Sequence, residues 1–204
     1  MIAKLAGVVE EVEPDAAIID VNGVGYLAFC STRTIGRLPS LGSPARLLIE
    51  THVREDHIHL YGFIDAAERD WFRLLTTVQG VGARLALSIL SAVAPETLGL
   101  AILAQDKPAL AQAEGVGPRL AARIVNELRD KIGNVGAPMT AGSAALLTEA
   151  ANGQGAAADA IAALENLGVG RTEALGAITA AARRLGSEAG ADVLIKASLE
   201  ELAR

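Results

Sequence analysis

A thirteen-residue stretch of this chain occurs twice. Val78–Leu90 reads V-Q-G-V-G-A-R-L-A-L-S-I-L, and Ala113–Val125 reads A-E-G-V-G-P-R-L-A-A-R-I-V. The copies agree at seven positions at a constant offset of 35 residues: Gly80/Gly115, Val81/Val116, Gly82/Gly117, Arg84/Arg119, Leu85/Leu120, Ala86/Ala121 and Ile89/Ile124. A duplication constrains the fold more than any other feature, because one supersecondary unit is used twice.

The unit has a physical logic. An apolar helical segment ends, Gly-Val-Gly makes a tight turn, and a second helix begins. The glycines permit positive φ and close backbone approach, while the valine pins the turn to the core. Amides opening the second helix have no intrahelical acceptor and sit at the positive end of its dipole, so they form an anion site. Arg84 and Arg119, two residues past the second glycine, reach a phosphate beside those amides. This is the pattern of a helix-hairpin-helix pair, which grips a DNA backbone without reading bases. The plain alternative is a glycine turn between packed helices; two copies with arginine at the same place favour phosphate binding. The expected DNA-contacting residues are Gly80, Val81, Gly82 and Arg84, then Gly115, Val116, Gly117 and Arg119. Arg123, one turn after Arg119, is added as an outward-facing candidate. Its counterpart in the first copy is Ser88, so a merely solvated Arg123 stays open.

With 204 residues the chain has room for one or two domains and a small appendage. Hydrophobic residues make up 51% but aromatics only 3%, so alanine and glycine carry much of the apolar count and helices should pack closely. A net charge of −6 argues against a uniformly basic DNA-binding surface; any DNA face must be local. Cys30 is the only cysteine, which excludes an intrachain disulfide. The first residues carry no secretory pattern and no apolar run reaches membrane-spanning length, so a soluble, cytoplasmic protein is expected.

Residues 1–64 read as an OB-type barrel. Ile2–Val12, Ala16–Val21, Val24–Cys30, Ala45–Val53 and Ile58–Phe63 are strand-like runs separated by Pro14-Asp15, Asn22-Gly23 and Pro39-Ser40-Leu41-Gly42. In Ala45–Val53, Leu47, Ile49, Thr51 and Val53 alternate with Leu48, Glu50, His52 and Arg54, the period of a half-buried strand. Between the last two strands stand Glu55 and Asp56, an acidic pair at a hairpin tip. They are a solvated turn, a phosphate-repelling feature, or, with His52, His57 and His59, a weakly convergent metal set.

Residues 65–132 read as the tandem hairpin domain. Asp65-Ala66-Ala67-Glu68 is a capping box before a helix bearing Trp71, Phe72, Leu75 and Val78. Pro95 and Asp106-Lys107-Pro108 open two further helices, and Pro118 the last, with Leu120, Ile124 and Leu128 on its buried face. Residues 133–155, rich in glycine and small residues, read as a flexible linker. Residues 156–204 regain helical period in three stripes: Ala160, Ile161, Leu164 and Leu167; Leu175, Ile178 and Ala182; Val193, Leu194, Leu199 and Leu202. A tethered domain this small suits an interaction module. Its Gly168-Val169-Gly170-Arg171 resembles a third hairpin, but the arginine is one residue closer and no Leu-Ala follows. It reads as a plain turn that leaves Leu167 and Val169 as an apolar edge. The fold class is therefore α+β and multidomain: barrel, all-α tandem hairpins, linker, three-helix domain.

None of the four lysines follows a glycine, so the phosphate-binding loop of ATPases is absent, as are a nucleophile elbow, a zinc cysteine set and a dinucleotide fingerprint. No cofactor and no catalytic residue are expected. The enzymatic alternative is a helix-hairpin-helix DNA glycosylase, for which Asp130 is the one aspartate in place. A duplex-binding structural protein is a third class.

The order of these parts, with Val53-Arg54-Glu55-Asp56 and Leu60-Tyr61-Gly62-Phe63 ahead of two Gly-Val-Gly hairpins, resembles the RuvA family, the DNA-binding subunits of bacterial Holliday-junction branch-migration complexes. The resemblance spans the chain and is densest over residues 53–132. It implies a homotetramer, or a pair of tetramers, that holds a four-way junction open and planar for recombination and repair. It implies that Glu55 and Asp56 form an acidic pin at the junction centre. It also implies that the C-terminal domain recruits a hexameric RuvB-type ATPase, with Leu167, Val169 and Leu199 as the apolar contact, and that a RuvC-type junction-resolving endonuclease is a further partner. Two departures stand out. Arginine occupies positions 84 and 119 where the family often has lysine, and Pro118 stands where many members carry another basic residue.

Overall fold

A computed structural model describes residues 1–55, 57–129, 131, 155–185 and 189–202. By its contacts the chain divides into two compact units. One is Met1–Pro95 with Ala113–Val116, the other Glu96–Gln112 with Gly117–Arg204.

The first unit begins with five strands: β1 (Lys4–Val12), β2 (Ala16–Val21), β3 (Val24–Cys30), β4 (Pro44–Val53) and β5 (Ile58–Phe63). They close into a barrel in the order β1-β2-β3-β5-β4, with β4 pairing back onto β1. Every pairing is antiparallel except β3 with β5. Closure removes the exposed sheet edge that five short strands would otherwise present. The period-two pattern decides what lies inside: Leu5, Val9, Ile19, Ala28, Cys30, Leu47, Ile49 and Leu60 are buried together. The β2–β3 hairpin turns on Asn22 and Gly23, both at positive φ (55° and 86°), the geometry a two-residue hairpin of this twist requires. Val53 departs from the alternation expected for β4. It is 67% exposed, as is Ile58 opposite it at 65%, because this end of the hairpin carries both outside the core.

A short helix, α1 (Thr32–Arg37), was not legible as an element, being too short to show a period. It follows β3 and begins at the N-cap Ser31, whose Oγ accepts from the Thr34 amide at 3.0 Å. Next come α2 (Ala66–Thr76) and α3 (Ala83–Ala92). α2 buries Trp71, Phe72 and Leu75.

The expected capping box at Asp65 forms only by half. The Asp65 carboxylate accepts from the Glu68 amide at 2.9 Å, but Glu68 does not turn back. Its side chain, 1% exposed, reaches across to α1 and accepts from the Ser31 and Thr34 hydroxyls, the latter at 2.6 Å. A buried carboxylate is tolerated only when hydrogen bonded, and this one clasps the barrel to the first hairpin. The Thr32 amide, donating to Ser91 Oγ at 3.0 Å, adds a second tie from α1 to α3. Burial first, then the Glu68 charge, push the Cys30 thiol up to about 12, so this cysteine is an inert core residue. Burial acts to raise the Asp65 pKa, but the Glu68 amide and the Arg37 guanidinium, 2.7 Å away, outweigh it and hold the carboxyl below its ordinary value of 3.8. The stability this contributes is present above that value and is lost as pH falls through the depressed one.

The second unit carries α4 (Pro95–Leu103), α5 (Lys107–Ala111), α6 (Pro118–Arg129), α7 (Ala156–Asn166), α8 (Arg171–Leu185) and α9 (Ala191–Leu202). Asp106 caps α5 by accepting from the Ala109 amide at 3.0 Å. α6 buries Ala121, Ile124, Val125 and Leu128, while Leu120 is only half-buried. Alanines let α7, α8 and α9 approach closely: Ala157, Ala160, Ala174, Ala181 and Ala197 share a core with Ile161, Leu164, Leu175, Ile178 and Leu194. Ala104 belongs to this cluster, and Leu100 and Leu103 of α4 pack on it. Two of the expected stripes shift. Leu167 is 65% exposed just past α7, and α9 turns Leu194, Ala197 and Ser198 inward while Val193 and Leu199 face out. The anticipated linker, residues 133–155, lies outside the described residues except for Gly155. Among the described residues no single helix is long and apolar enough to cross a membrane.

The Glu68 clasp predicts a specific cost. Glu68→Leu should destabilise the protein by about 3 kcal/mol, because two buried hydroxyls lose their acceptor. Glu68→Gln, which keeps an acceptor oxygen, should cost less than half as much. Urea unfolding of the three proteins checks this, and a Leu variant as stable as wild type contradicts it.

Candidate nucleic-acid interface

The first hairpin is built from the end of α2 and the start of α3. Backbone bonds from Thr77 to Leu74 (3.1 Å) and Val78 to Leu75 (3.0 Å) close α2. Gly80 then takes φ +94°, which strains any residue with a Cβ, and the chain reverses. The Val81 amide donates to the Val78 carbonyl at 3.0 Å and the side chain sinks to 6% exposure. Gly82 is the extended N-cap of α3 with no side chain to cap it, and its carbonyl accepts from Ala86 at 2.9 Å. No acid stands in the first turn of α3, and Arg84 is exposed there.

The second hairpin repeats the turn bond, the buried valine and the first helical bond. Gly115 has φ +86°, Val116 donates to Ala113 at 3.0 Å and is 6% exposed, and Ala121 donates to Gly117 at 2.9 Å. The first turn of α6 also lacks acid, and Arg119 is exposed on it. Pro118 has no N–H, so this helix start offers one donor fewer than that of α3. The turn itself rests on α3. Ser88 Oγ donates to the Glu114 carbonyl at 2.9 Å, and a Cβ on Gly115 would stand 3.0 Å from Leu85 Cδ1. Ser88, met in the sequence only as the uncharged counterpart of Arg123, is thus a support for the second turn. Arg123 is exposed, with its Nε 4.0 Å from Glu127 Oε1 along the helix, a surface pair of small energetic weight.

Gly168–Gly170 shares part of this geometry. Gly168 has φ +89°, and Ala174 donates to Gly170 at 2.8 Å. The turn differs, however: Val169 donates five residues back to Leu164 at 3.1 Å and Gly168 to Glu165 at 2.9 Å, which is a helix-terminating glycine motif. Val169 is half-buried against the C-terminal core, whereas Leu167 and Leu199 are exposed at 65% and 40%.

The acidic tip lies between β4 and β5. The Arg54 amide donates to the His57 carbonyl at 2.9 Å, and Glu55 is exposed. Asp56 lies outside the described residues, as does Asp130, the aspartate required by the glycosylase alternative. Among the described residues, no three His, Cys, Asp or Glu are placed to hold a metal ion. His52, His57 and His59 do share one face: His52 pairs across the ladder with His59, and the His57 and His59 rings stack at 4.2 Å. With Arg54, they line a cleft of about 510 Å³ that also receives Val81, Gly82 and Arg84 of the first hairpin.

Comparison with known proteins agrees with this architecture. Residues 1–62 match the family described as RuvA N terminal domain, and residues 72–130 match the SAM-like helix-hairpin-helix tandem. A protein of Rhodospirillum centenum is 55% identical over 204 residues, covering 99% of both chains. Relatives from Acidiphilium cryptum and Methylobacterium radiotolerans are 51% and 53% identical over 208 residues, covering 100% of each chain. All three bear the name Holliday junction branch migration complex subunit RuvA. With identity at this level from end to end, the chain belongs to the RuvA family.

Proposed function

We propose that this chain is the non-catalytic, junction-binding subunit of a Holliday-junction branch-migration complex. Four copies assemble through residues 1–132 and hold a four-way junction open and planar, on one face or between two tetramers. The hairpins at Gly80–Arg84 and Gly115–Arg119 grip arm phosphates, with Arg123 beside the second. Glu55 and Asp56 of each copy gather at the crossover and repel phosphate there. Residues 133–155 tether the domain at 156–204, which recruits a hexameric RuvB-type ATPase; a RuvC-type endonuclease acts on the same complex. The whole works in the cytoplasm.

The observation that carries this reading is the recurrence of a glycine hairpin, with the same turn bond and first helical bond, whose helix start is acid-free and bears an exposed arginine. Each copy offers unpartnered amides and a guanidinium to one phosphate and nothing to a base edge, so the grip is independent of sequence. Multiplying this local positive site by symmetry reconciles DNA binding with an overall charge of −6. Pro118, which removes a donor, makes the second hairpin the weaker grip.

Three outcomes follow. Arg84→Ala with Arg119→Ala should weaken junction binding by roughly tenfold or more at moderate salt, irrespective of arm sequence. It should also flatten the salt dependence, since fewer counterions are released; an unchanged slope removes both residues from the DNA face. Glu55→Gln with Asp56→Asn should raise affinity for plain duplex and lower the preference for junctions, with the melting temperature unchanged because an exposed tip contributes little. Equal losses on both DNAs contradict a repelling pin. Leu167→Glu with Leu199→Glu should leave junction affinity intact and abolish ATP-driven branch migration by the partner motor in a strand-exchange assay. Migration at the full rate removes this surface from the recruitment contact.

A further inference from the structure

All three histidines of the chain face one cleft. The strand ladder explains how this arises. β4 and β5 pair His52 opposite His59 and Val53 opposite Ile58, so the histidines point one way and the exposed Val53 and Ile58 the other. His57, two residues from His59, stacks on it at 4.2 Å. Behind them the rings continue inward: His52 lies 4.9 Å from Tyr61 and 5.7 Å from Phe72, and His59 lies 5.2 Å from Phe29. The imidazoles are thus held half-buried on an aromatic floor, pre-oriented at little further entropy cost.

Two arginines line the cleft beside them. Arg54 enters from the end of β4, and Arg84 from the first turn of α3, whose N-cap Gly82 also lines the cleft. Tyr61 senses both arginines: burial raises its phenol, and Arg84 then Arg54 act to lower it. No acid lines the cleft among the described residues. Glu50, on the same strand face as His52, is bound by Arg73 at 2.7 Å, and Asp70 of α2 by Arg69 at 3.0 Å. Glu55 is exposed in the adjoining turn, which also contains Asp56.

We propose that this cleft is a proton-gated phosphate site, in which protonated His57 and His59, with His52, join Arg54 and Arg84 around one backbone phosphodiester of the bound DNA. The inference rests on the junction-binding reading and adds a regulatory half to its first hairpin. The barrel supplies the titrating half and the hairpin the permanent half. Imidazole is the side chain whose charge changes between pH 5 and 8. Stacked cations repel each other and an anion between them relieves that repulsion, so phosphate entry and proton uptake are linked. The sign follows: junction affinity rises as pH falls through the imidazole range, and it falls as pH rises. The second hairpin, which has no histidine near it in sequence, lacks this dependence.

The test measures four-way-junction affinity of the full-length protein at pH 6 and pH 8, at fixed ionic strength. Wild type should bind about tenfold tighter at pH 6. His57→Gln with His59→Gln should lose most of that gain, so that its affinities at pH 6 and pH 8 differ by less than about threefold. His52→Gln is examined separately, because His52 packs on Phe72. Imidazole proton–carbon resonances give the direct reading: junction DNA should move them toward the protonated position at pH 7, and inorganic phosphate at equal phosphate concentration should do so far less. An identical pH dependence in wild type and the double variant, or imidazole resonances unmoved by DNA, overturns the proposal. A full response to inorganic phosphate alone also overturns it, since the site would then serve a free anion. Arg84→Ala with Arg119→Ala, measured at pH 8, tests the underlying junction reading independently of the histidines.

Discussion

The buried carboxylate of Glu68 is the contact on which the rest of the first unit depends. It takes two hydroxyl donors from Ser31 and Thr34, and Ser31 Oγ in turn caps α1. One ionisable side chain, 1% exposed, therefore fixes the exit of the barrel against the helix that leads into the first hairpin. Replacing it by an apolar residue leaves hydroxyls that can find no water, which is why the network is costly to break though modest in net stabilisation.

The second physical theme is localisation of charge. The chain is acidic overall, yet both hairpins present an acid-free helix start with an exposed arginine. Unpaired amides and a guanidinium act over a few ångströms, inside the distance at which salt screens, whereas a net charge acts over the Debye length. A protein can thus hold phosphate strongly at chosen points while repelling it elsewhere. The exposed Glu55 is the repelling element within the proposed assembly.

Much of this was legible in the sequence, for identifiable reasons. The repeat announced itself because glycine at positive φ cannot be replaced without strain and the valine must be buried, so both copies retain the same letters. The five strands followed from period-two alternation and from Asn22-Gly23, whose turn chemistry is unambiguous. What was missed depends on tertiary context. α1 has six residues, too few for a period, and only Ser31 hints at it. Glu68 stood where a capping box wants a reciprocal cap, and the local pattern is silent about two hydroxyls more than thirty residues away. Ser88 reads as a neutral helix residue until its bond to the Glu114 carbonyl is seen. In the C-terminal helices, Leu167, Val193 and Leu199 fit a stripe by spacing but lie outside a core that alanines fill instead. The histidine cleft was half-seen as a metal set; the strand register sets His52 opposite His59, while Arg84 comes to the cleft from α3, which spacing along the hairpin does not show.

The central claim is that several copies of this chain together recognise a branched DNA rather than a duplex. Native mass spectrometry of the full-length protein, with a synthetic four-way junction and with a duplex of equal length, tests it most directly. The account predicts one junction bound by four or eight chains, and loss of that stoichiometry when the junction is replaced by the duplex. A monomer that binds one duplex as readily as one junction would contradict it.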